Sequence, residues 1–355
     1  MVSKNALYKC QSVPNANFYG GLFKQKYNRM NKIIGIDLGG TNCAVILGKI
    51  VEKGQPSVIG KKVLQTKDYP DPYHMISRLQ YEMEELLASH QIDIKTVFSI
   101  GISCGGPLDS KKGVILSPPN LPGWDEIPIV KQFTEKYGIP VAIQNDANAC
   151  ALAEWKFGAG CGTKNMVFLT FGTGLGAGLI LDGKLYEGTN DNAGEVGHIR
   201  LDNFGPVGYG KAGSFEGFCS GSGIAQLARL KAMEKFQMGE KVSFCERISE
   251  LETVTAQRVA EAANSGDPIA LEIYNICGTY LGKGLSVLID ILNPEYIVIG
   301  SIYVRASHLL IPSLEKTLQE EALPLARKVC RIVPSELDEQ IGDMASLSVA
   351  ANQLI

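Results

Sequence analysis

A chain of 355 residues, 45% of them hydrophobic, can bury one large core or two ordinary ones, and two domains is the expectation. Its 34 basic and 37 acidic side chains leave a formal net charge of −3, which excludes a global pull toward nucleic acid or an anionic membrane. No apolar stretch approaches the roughly 20 residues that span a bilayer. Nine cysteines stand singly with no C-x-x-C pair, the pattern of a reduced, cytoplasmic protein rather than a disulfide scaffold.

Residues 1–32 carry five Lys, one Arg and no acid. They lack the apolar run of a signal peptide, so 1–31 reads as a flexible basic leader, with Met30 a second candidate start. From Lys32, "KIIGIDLGG" and "CAVILGKIV" read as strand, glycine turn, strand; a Rossmann or P-loop site would enter a helix at that point. "PYHMISRLQYEMEELLAS" spaces Ile76, Leu79, Met83 and Leu86 as one helix face. "TVFSIGIS" is a strand running into the loop "CGGPLDS". "IPVAIQND" is another strand, followed by the helix "ANACALAEWKFGAG", closed by glycines. "NMVFLTFGTGLGAGLILDGKLY" then repeats the opening pattern, with Asp182-Gly183 turning into a further strand. Helices follow around 255–292, then the strand "EYIVIG", a helix near 306–321, "ARKVCRIVPS" as a strand, and a terminal helix from about Asp343.

"IDLGGTNCAVILG" and "LTFGTGLGAGLIL" lie about 130 residues apart and echo one another. Two halves that each open on such a hairpin predict a duplicated α/β domain. The expected division is a small lobe over 32–146, joined by the C-terminal helix at about 343–355, and a large lobe over 147–342.

At the first turn Gly39, Gly40 and Thr41 remove side-chain bulk and expose backbone N–H groups that can cradle phosphate. Asp37 precedes them, placed to hold Mg2+ directly or through water; "DLGGT" alone also fits a plain turn. The second tip, with Thr170, Gly172, Thr173, Gly174 and Gly176, shifts the balance, since two such hairpins suit a nucleotide. In "QNDAN", Asp146 ends a strand just before a helix, as an N-cap or as a general base, with Asn145 beside it to bind a hydroxyl. Glu195 and His198 stand three apart in "GEVGH", and Glu216 lies in "GSFEGFCSG". These three could bind a polyol; they equally fit a core histidine and a helix-start glutamate.

Together these motifs resemble the ROK family of sugar kinases (repressor, open reading frame, kinase), within the actin/hexokinase-like ATPase superfamily. The likeness runs from about residue 32 to the end, on "DLGGTN", "GGPLD", "NLPGW", "NDANACALAE", "TFGTGLGAGLILDGKLYEG", "GEVGH" and the late run through "DILNPEYIVIG". It implies an α/β fold of two actin-like, ribonuclease H-like lobes with a cleft between them. It also implies a cytoplasmic, homodimeric enzyme using ATP and Mg2+ on a small-molecule sugar, with no nucleic acid or membrane partner. Asp146 would take the proton from the sugar hydroxyl, usually O6. Gly106, Asn120, Asn145, Glu195, His198 and Glu216 would contact the sugar. Asp37, Gly39, Gly40, Thr41, Thr173 and Gly174 would serve the ATP phosphates, and Gly300 the adenosine end.

Three departures stand out. Asn42 follows "GGT" where the family often has Lys, and Gly300-Ser301 replaces a Gly-Gly pair. The family's zinc motif runs His, then Cys-x-Cys-Gly-x-x-Gly-Cys-x-Glu, and its three cysteine positions hold Val207, Tyr209 and Ser214. A structural zinc site needs four N or S ligands, so no structural zinc is expected, and packing around Val207 and Tyr209 should hold the loop. The expected substrate is glucose, with N-acetylglucosamine, N-acetylmannosamine or fructose as alternatives. A sugar-sensing ROK transcriptional regulator is the alternative from another class. Such repressors carry a winged helix-turn-helix first, whereas only about 31 residues without helical periodicity precede the first hairpin here. A silent sugar-binding paralogue is disfavoured by the intact Asp146 and hairpins.

Overall fold

The first glycine turn joins two antiparallel strands, β1 (Lys32–Leu38) and β2 (Asn42–Ile50), paired from Lys32↔Lys49 to Leu38↔Cys43. The structure is a computed structural model describing residues 31–51 and 56–353, so the basic leader lies outside the described residues. Strand β3 (Pro56–Gln65) adds antiparallel to β2. Strands β4 (Val97–Cys104) and β5 (Val141–Asn145) add in parallel beyond β1. The sheet order is β3-β2-β1-β4-β5.

Alternation along the central strands buries both faces. Ile34, Ile36, Val45 and Leu47 pack with Met75, Leu79 and Met83 of helix α1 (Pro72–Ser89) and with Phe133 of α2 (Ile129–Tyr137). Ile33, Ala44 and Ile46 meet Leu347, Ala350 and Ala351 of the C-terminal helix (Ile341–Asn352) on the other face. That helix lies so close that a Cβ at Gly101 would sit 2.2 Å from the Ala350 nitrogen. Ser99 Oγ ties the contact by donating to the Ala350 carbonyl at 2.9 Å.

The second unit repeats the plan. Strands β6 (Met166–Leu169), β7 (Ala177–Leu181) and β8 (Lys184–Leu185) form an antiparallel meander, and β9 (Tyr296–Ile299) and β10 (Arg331–Pro334) add in parallel. The order β8-β7-β6-β9-β10 is that of the first sheet strand for strand. Its core is built on α6 (Ala256–Asn264), α7 (Pro268–Leu292) and α8 (Ile302–Glu321), and α7 packs against α8. Gly278 lets the two helices approach, since a Cβ there would lie 2.6 Å from the Leu310 carbonyl oxygen.

The chain divides after Thr163 and again after Asp338. Helix α3 (Asp146–Phe157) thus belongs with the first unit, past the expected 146/147 division, because it packs on the C-terminal helix. "ARKVCRIVPS" is a strand only over Arg331–Pro334; Pro324–Val329 is a short helix. Proline at the first helical position loses no needed N–H and has its φ already set, while pairing with β9 ends after four residues. Helix α8 begins at Ile302, earlier than expected, because the Ser301 turn feeds straight into it.

Candidate active site

In the first unit the predicted residues gather at the carboxyl ends of β1, β4 and β5. Gly39 N donates to the Asn42 carbonyl at 3.1 Å, closing the turn. Thr66 anchors it: its Oγ1 donates to the Gly39 carbonyl at 2.7 Å and its N–H to the Thr41 carbonyl at 3.0 Å. Among the described residues the N–H groups of Gly40 and Thr41 have no protein acceptor, as a phosphate cradle needs. Glycine is required at position 40, where a Cβ would lie 2.7 Å from the Asn120 carbonyl oxygen. Asn120 also crowds Gly105, whereas a Cβ at Gly106 would meet nothing. The side chain at 42 is occupied by Gln65, whose Nε2 donates to Asn42 Oδ1 at 2.6 Å.

Asp146 is the first residue of α3, not its cap. Asn145 caps the helix, its Oδ1 accepting from Asn148 N at 2.7 Å. Asn145 is buried by this role, so its side-chain oxygen serves the helix. Asp146 keeps an exposed face and accepts from Ala147 N at 2.8 Å. Desolvation by the surrounding protein nevertheless pushes its carboxyl above the usual carboxylate range, outweighing that hydrogen bond. Asp37 on β1 is raised to about 7, first by burial and then by the charges of Asp146 and Asp343, with Lys61 opposing. Lys61 on β3 and Asp343 on the C-terminal helix form an ion pair at 2.6 Å. Sequence reading missed both.

Two carboxylates bearing on Asp37, against one ammonium already paired with Asp343, favour a bound cation. Among the described residues no three His, Cys, Asp or Glu side chains converge as a metal cage. A cation at Asp37 would be completed by water and phosphate oxygens, the manner in which Mg2+ is commonly held.

In the second unit the loop between β6 and β7 is stitched to itself and to a helix start. Thr170 Oγ1 accepts from Gly176 N at 2.9 Å. The Gly172 carbonyl accepts from Gly221 N at 2.8 Å, and the Thr173 carbonyl from Ser222 Oγ at 2.9 Å, both at the start of α5 (Gly221–Gln237). Glu216, on the one-turn helix α4 (Phe215–Phe218), accepts from Leu175 N at 3.0 Å. Gly174 is glycine because a Cβ there would stand 2.7 Å from Glu216 Oε2. Glu216 therefore holds the second glycine loop rather than simply opening a helix.

Glu195 and His198 flank the turn 196–198 with exposed side chains, so His198 is not a core histidine. At the turn after β9, where the sequence resemblance places the adenosine end, Gly300 N donates to the Leu169 carbonyl at 3.0 Å, and Ser301 takes φ 52°, a conformation glycine favours.

The former cysteine positions do not behave as expected. Val207 is 47% and Tyr209 79% exposed, so their packing does not hold the loop; only Ser214 is buried. Hydrogen bonds hold it instead. Gln226 exchanges two bonds of 2.9 Å with the Val207 backbone, Arg200 donates to the Ala212 carbonyl at 2.7 Å, and Ser214 Oγ caps α4 by accepting from Gly217 N at 3.1 Å.

Two copies of one sheet topology, each with a glycine loop after its first strand, define a duplicated α/β protein. The ROK family pattern matches residues 33–352, and the chain belongs to the ROK family. It is 30% identical over 297 residues to a glucokinase of Halalkalibacterium halodurans, covering 82% of this chain and 86% of that protein. The crystal structure of a ROK family glucokinase from Streptomyces griseus in complex with glucose and AMPPNP is similar at 26% identity and TM-score 0.69, covering 90% of this chain and 99% of that one. The structure of a ROK family transcriptional regulator, a homologue of the E. coli Mlc protein, is similar at 28% identity and TM-score 0.79, covering 92% and 79%. Among the described residues no helix is long and apolar enough to cross a membrane.

Proposed function

We propose that this protein transfers the γ-phosphoryl group of ATP to a hexose, with glucose O6 as the acceptor and Asp146 as the general base. The observation that carries this reading is the division of labour at 145–146. Asn145 satisfies the helix start, which leaves the Asp146 carboxylate for another task, and desolvation raises it above the usual carboxylate range, the direction that strengthens a base. Similarity to glucokinases, one of them solved with glucose and AMPPNP, supports the same reading.

The sugar hydroxyl oxygen forms its bond to the γ-phosphorus while the bond from that phosphorus to the β–γ bridging oxygen breaks. The hydroxyl proton passes to Asp146 and ADP leaves. Such transfer has a loose transition state, so catalysis rests on positioning and on charge neutralisation. Mg2+, held beside Asp37, would supply the neutralisation. The Gly40 and Thr41 N–H groups would hold phosphate oxygens, and Thr173, Gly174 and Gly300 would serve the rest of the nucleotide. Glu195, His198, Glu216 and Asn120 would bind sugar hydroxyls, with the loop around them working without zinc.

The regulator structure favours a second reading, a sugar sensor without turnover. ADP release measured with ATP and, in turn, glucose, N-acetylglucosamine, N-acetylmannosamine, mannose and fructose separates the two. The kinase reading expects at least one sugar, glucose foremost, to stimulate release. Sugar binding with no stimulation by any of them would establish the sensor instead.

A further inference from the structure

We propose that Tyr209 is a positioning residue that orients the His198 imidazole for the substrate. This rests on the reading of His198 as a sugar contact.

Tyr209 stands at the tip of a small hairpin in which Val207 pairs with Ala212 and Gly208 with Lys211. The two turn residues, Tyr209 and Gly210, have φ of 43° and 75°. Two consecutive positive φ values are the hallmark of a type I′ turn, whose first position prefers Asn, Asp or Gly. A tyrosine there is strained, and strain kept at one residue points to a use for its side chain. That use is not burial, because Tyr209 is 79% exposed.

The Tyr209 ring lies edge-on to His198, with centroids 6.3 Å apart and planes at 74°. This is the favoured T-shaped arrangement of ring pairs. His198 makes no ring hydrogen bond to the protein among the described residues. Its two nitrogens are therefore open to a ligand, and the aromatic contact restrains its plane.

The hairpin is placed by groups other than the tyrosine side chain. Lys211 Nζ donates to the His198 carbonyl at 2.7 Å, which fixes the hairpin to the very residue it faces. Gln226 holds the Val207 backbone. Gly208 lies against Glu216, where a Cβ would come within 2.8 Å of the Glu216 Cβ. The backbone thus brings Tyr209 to His198 while Gly208 lies against Glu216, and the ring can be removed without removing the hairpin.

Glycine at 209 accepts the backbone conformation without strain, so Tyr209→Gly separates the ring's role from the turn's. We expect its KM for glucose to rise roughly two- to tenfold, the worth of one edge-to-face pair. Its kcat should stay near wild type, and its Tm should be equal or higher. Tyr209→Phe keeps the ring edge and should restore the wild-type KM. An unchanged KM in Tyr209→Gly, a fall in its Tm alongside the KM change, or a Phe variant as impaired as the Gly variant would each overturn the proposal. Calorimetric glucose binding to the same proteins reads the contact directly. A binding loss in Tyr209→Gly supports it even where wild type shows no turnover, so the contact and the kinase reading fail separately.

Discussion

The two units share one strand order, yet they use the hairpin end of that scaffold for different purposes. In the first, a short turn is tied by Thr66 and crowded by Asn120, and carboxylates collect beside it: Asp37, Asp146 and Asp343, with Lys61 the partner of the last. In the second, a longer loop is bound to the start of α5 and to Glu216, and the neighbouring side chains, Glu195, His198 and Tyr209, are exposed hydrogen-bonding and aromatic groups. A duplicated backbone supplies two equivalent places to put side chains. Chemistry follows from which side chains each copy places there, and the proposed function puts proton handling in the first and recognition of hydroxyls in the second.

The largest effect expected in the second unit is on affinity. In Glu216→Gln the amide oxygen still accepts from Leu175 N, so the loop stays intact while the negative charge is lost. The KM for sugar should rise roughly tenfold or more, as for removal of a charged hydrogen bond, with a smaller change in kcat. A loss confined to kcat would place proton chemistry in the second unit and break the comparison.

A second effect belongs to the first unit and depends on pH. The folded-state pKa of Asp37, about 7, lies above its ordinary value. Its stabilising contribution is therefore complete below about pH 4 and lost as pH rises toward 7. In chelator-treated protein without nucleotide, wild type should lose Tm relative to Asp37→Asn as pH is raised from 5 to 8. A constant gap between the two melting curves would mean that Asp37 is not held protonated by its neighbours.

The smallest effect concerns the turn between β9 and α8 in the second unit. Ser301 has φ 52° without a side-chain cap on α8, so Ser301→Gly should stabilise the protein, relieving about 1–3 kcal/mol of backbone strain against about 0.4–1 kcal/mol of unfolded-chain entropy that glycine adds. Chemical denaturation measures it, and destabilisation would show that the serine side chain supports the turn.

Much of this was legible in the chain. Continuous apolar runs broken by glycines announced both hairpins, and their echo predicted the duplication that the matching sheet orders display. Strand β3 was not legible, because an edge strand with mostly exposed side chains has no apolar pattern to read. The helix at Pro324–Val329 was misread because a six-residue apolar and basic segment is too short for its periodicity to show. At the site, the residue types around Asp146 were readable, but not which of Asn145 and Asp146 would cap the helix, since both are good caps. Lys61 and Asp343 were invisible for another reason: their pairing exists only once the C-terminal helix returns to the first sheet. The missing thiolates were plain, but the replacement by Gln226, Arg200 and Ser214 is a matter of backbone hydrogen bonds that no motif encodes.

The most direct test of the central claim measures glucose binding and glucose-dependent ADP release side by side in wild type and Asp146→Asn. Glucose affinity should be retained while turnover falls by about 10²–10⁴-fold, the usual contribution of a general base. An Asp146→Asn enzyme that keeps more than about a tenth of wild-type turnover would contradict the assignment, because a required base cannot be removed at so small a cost.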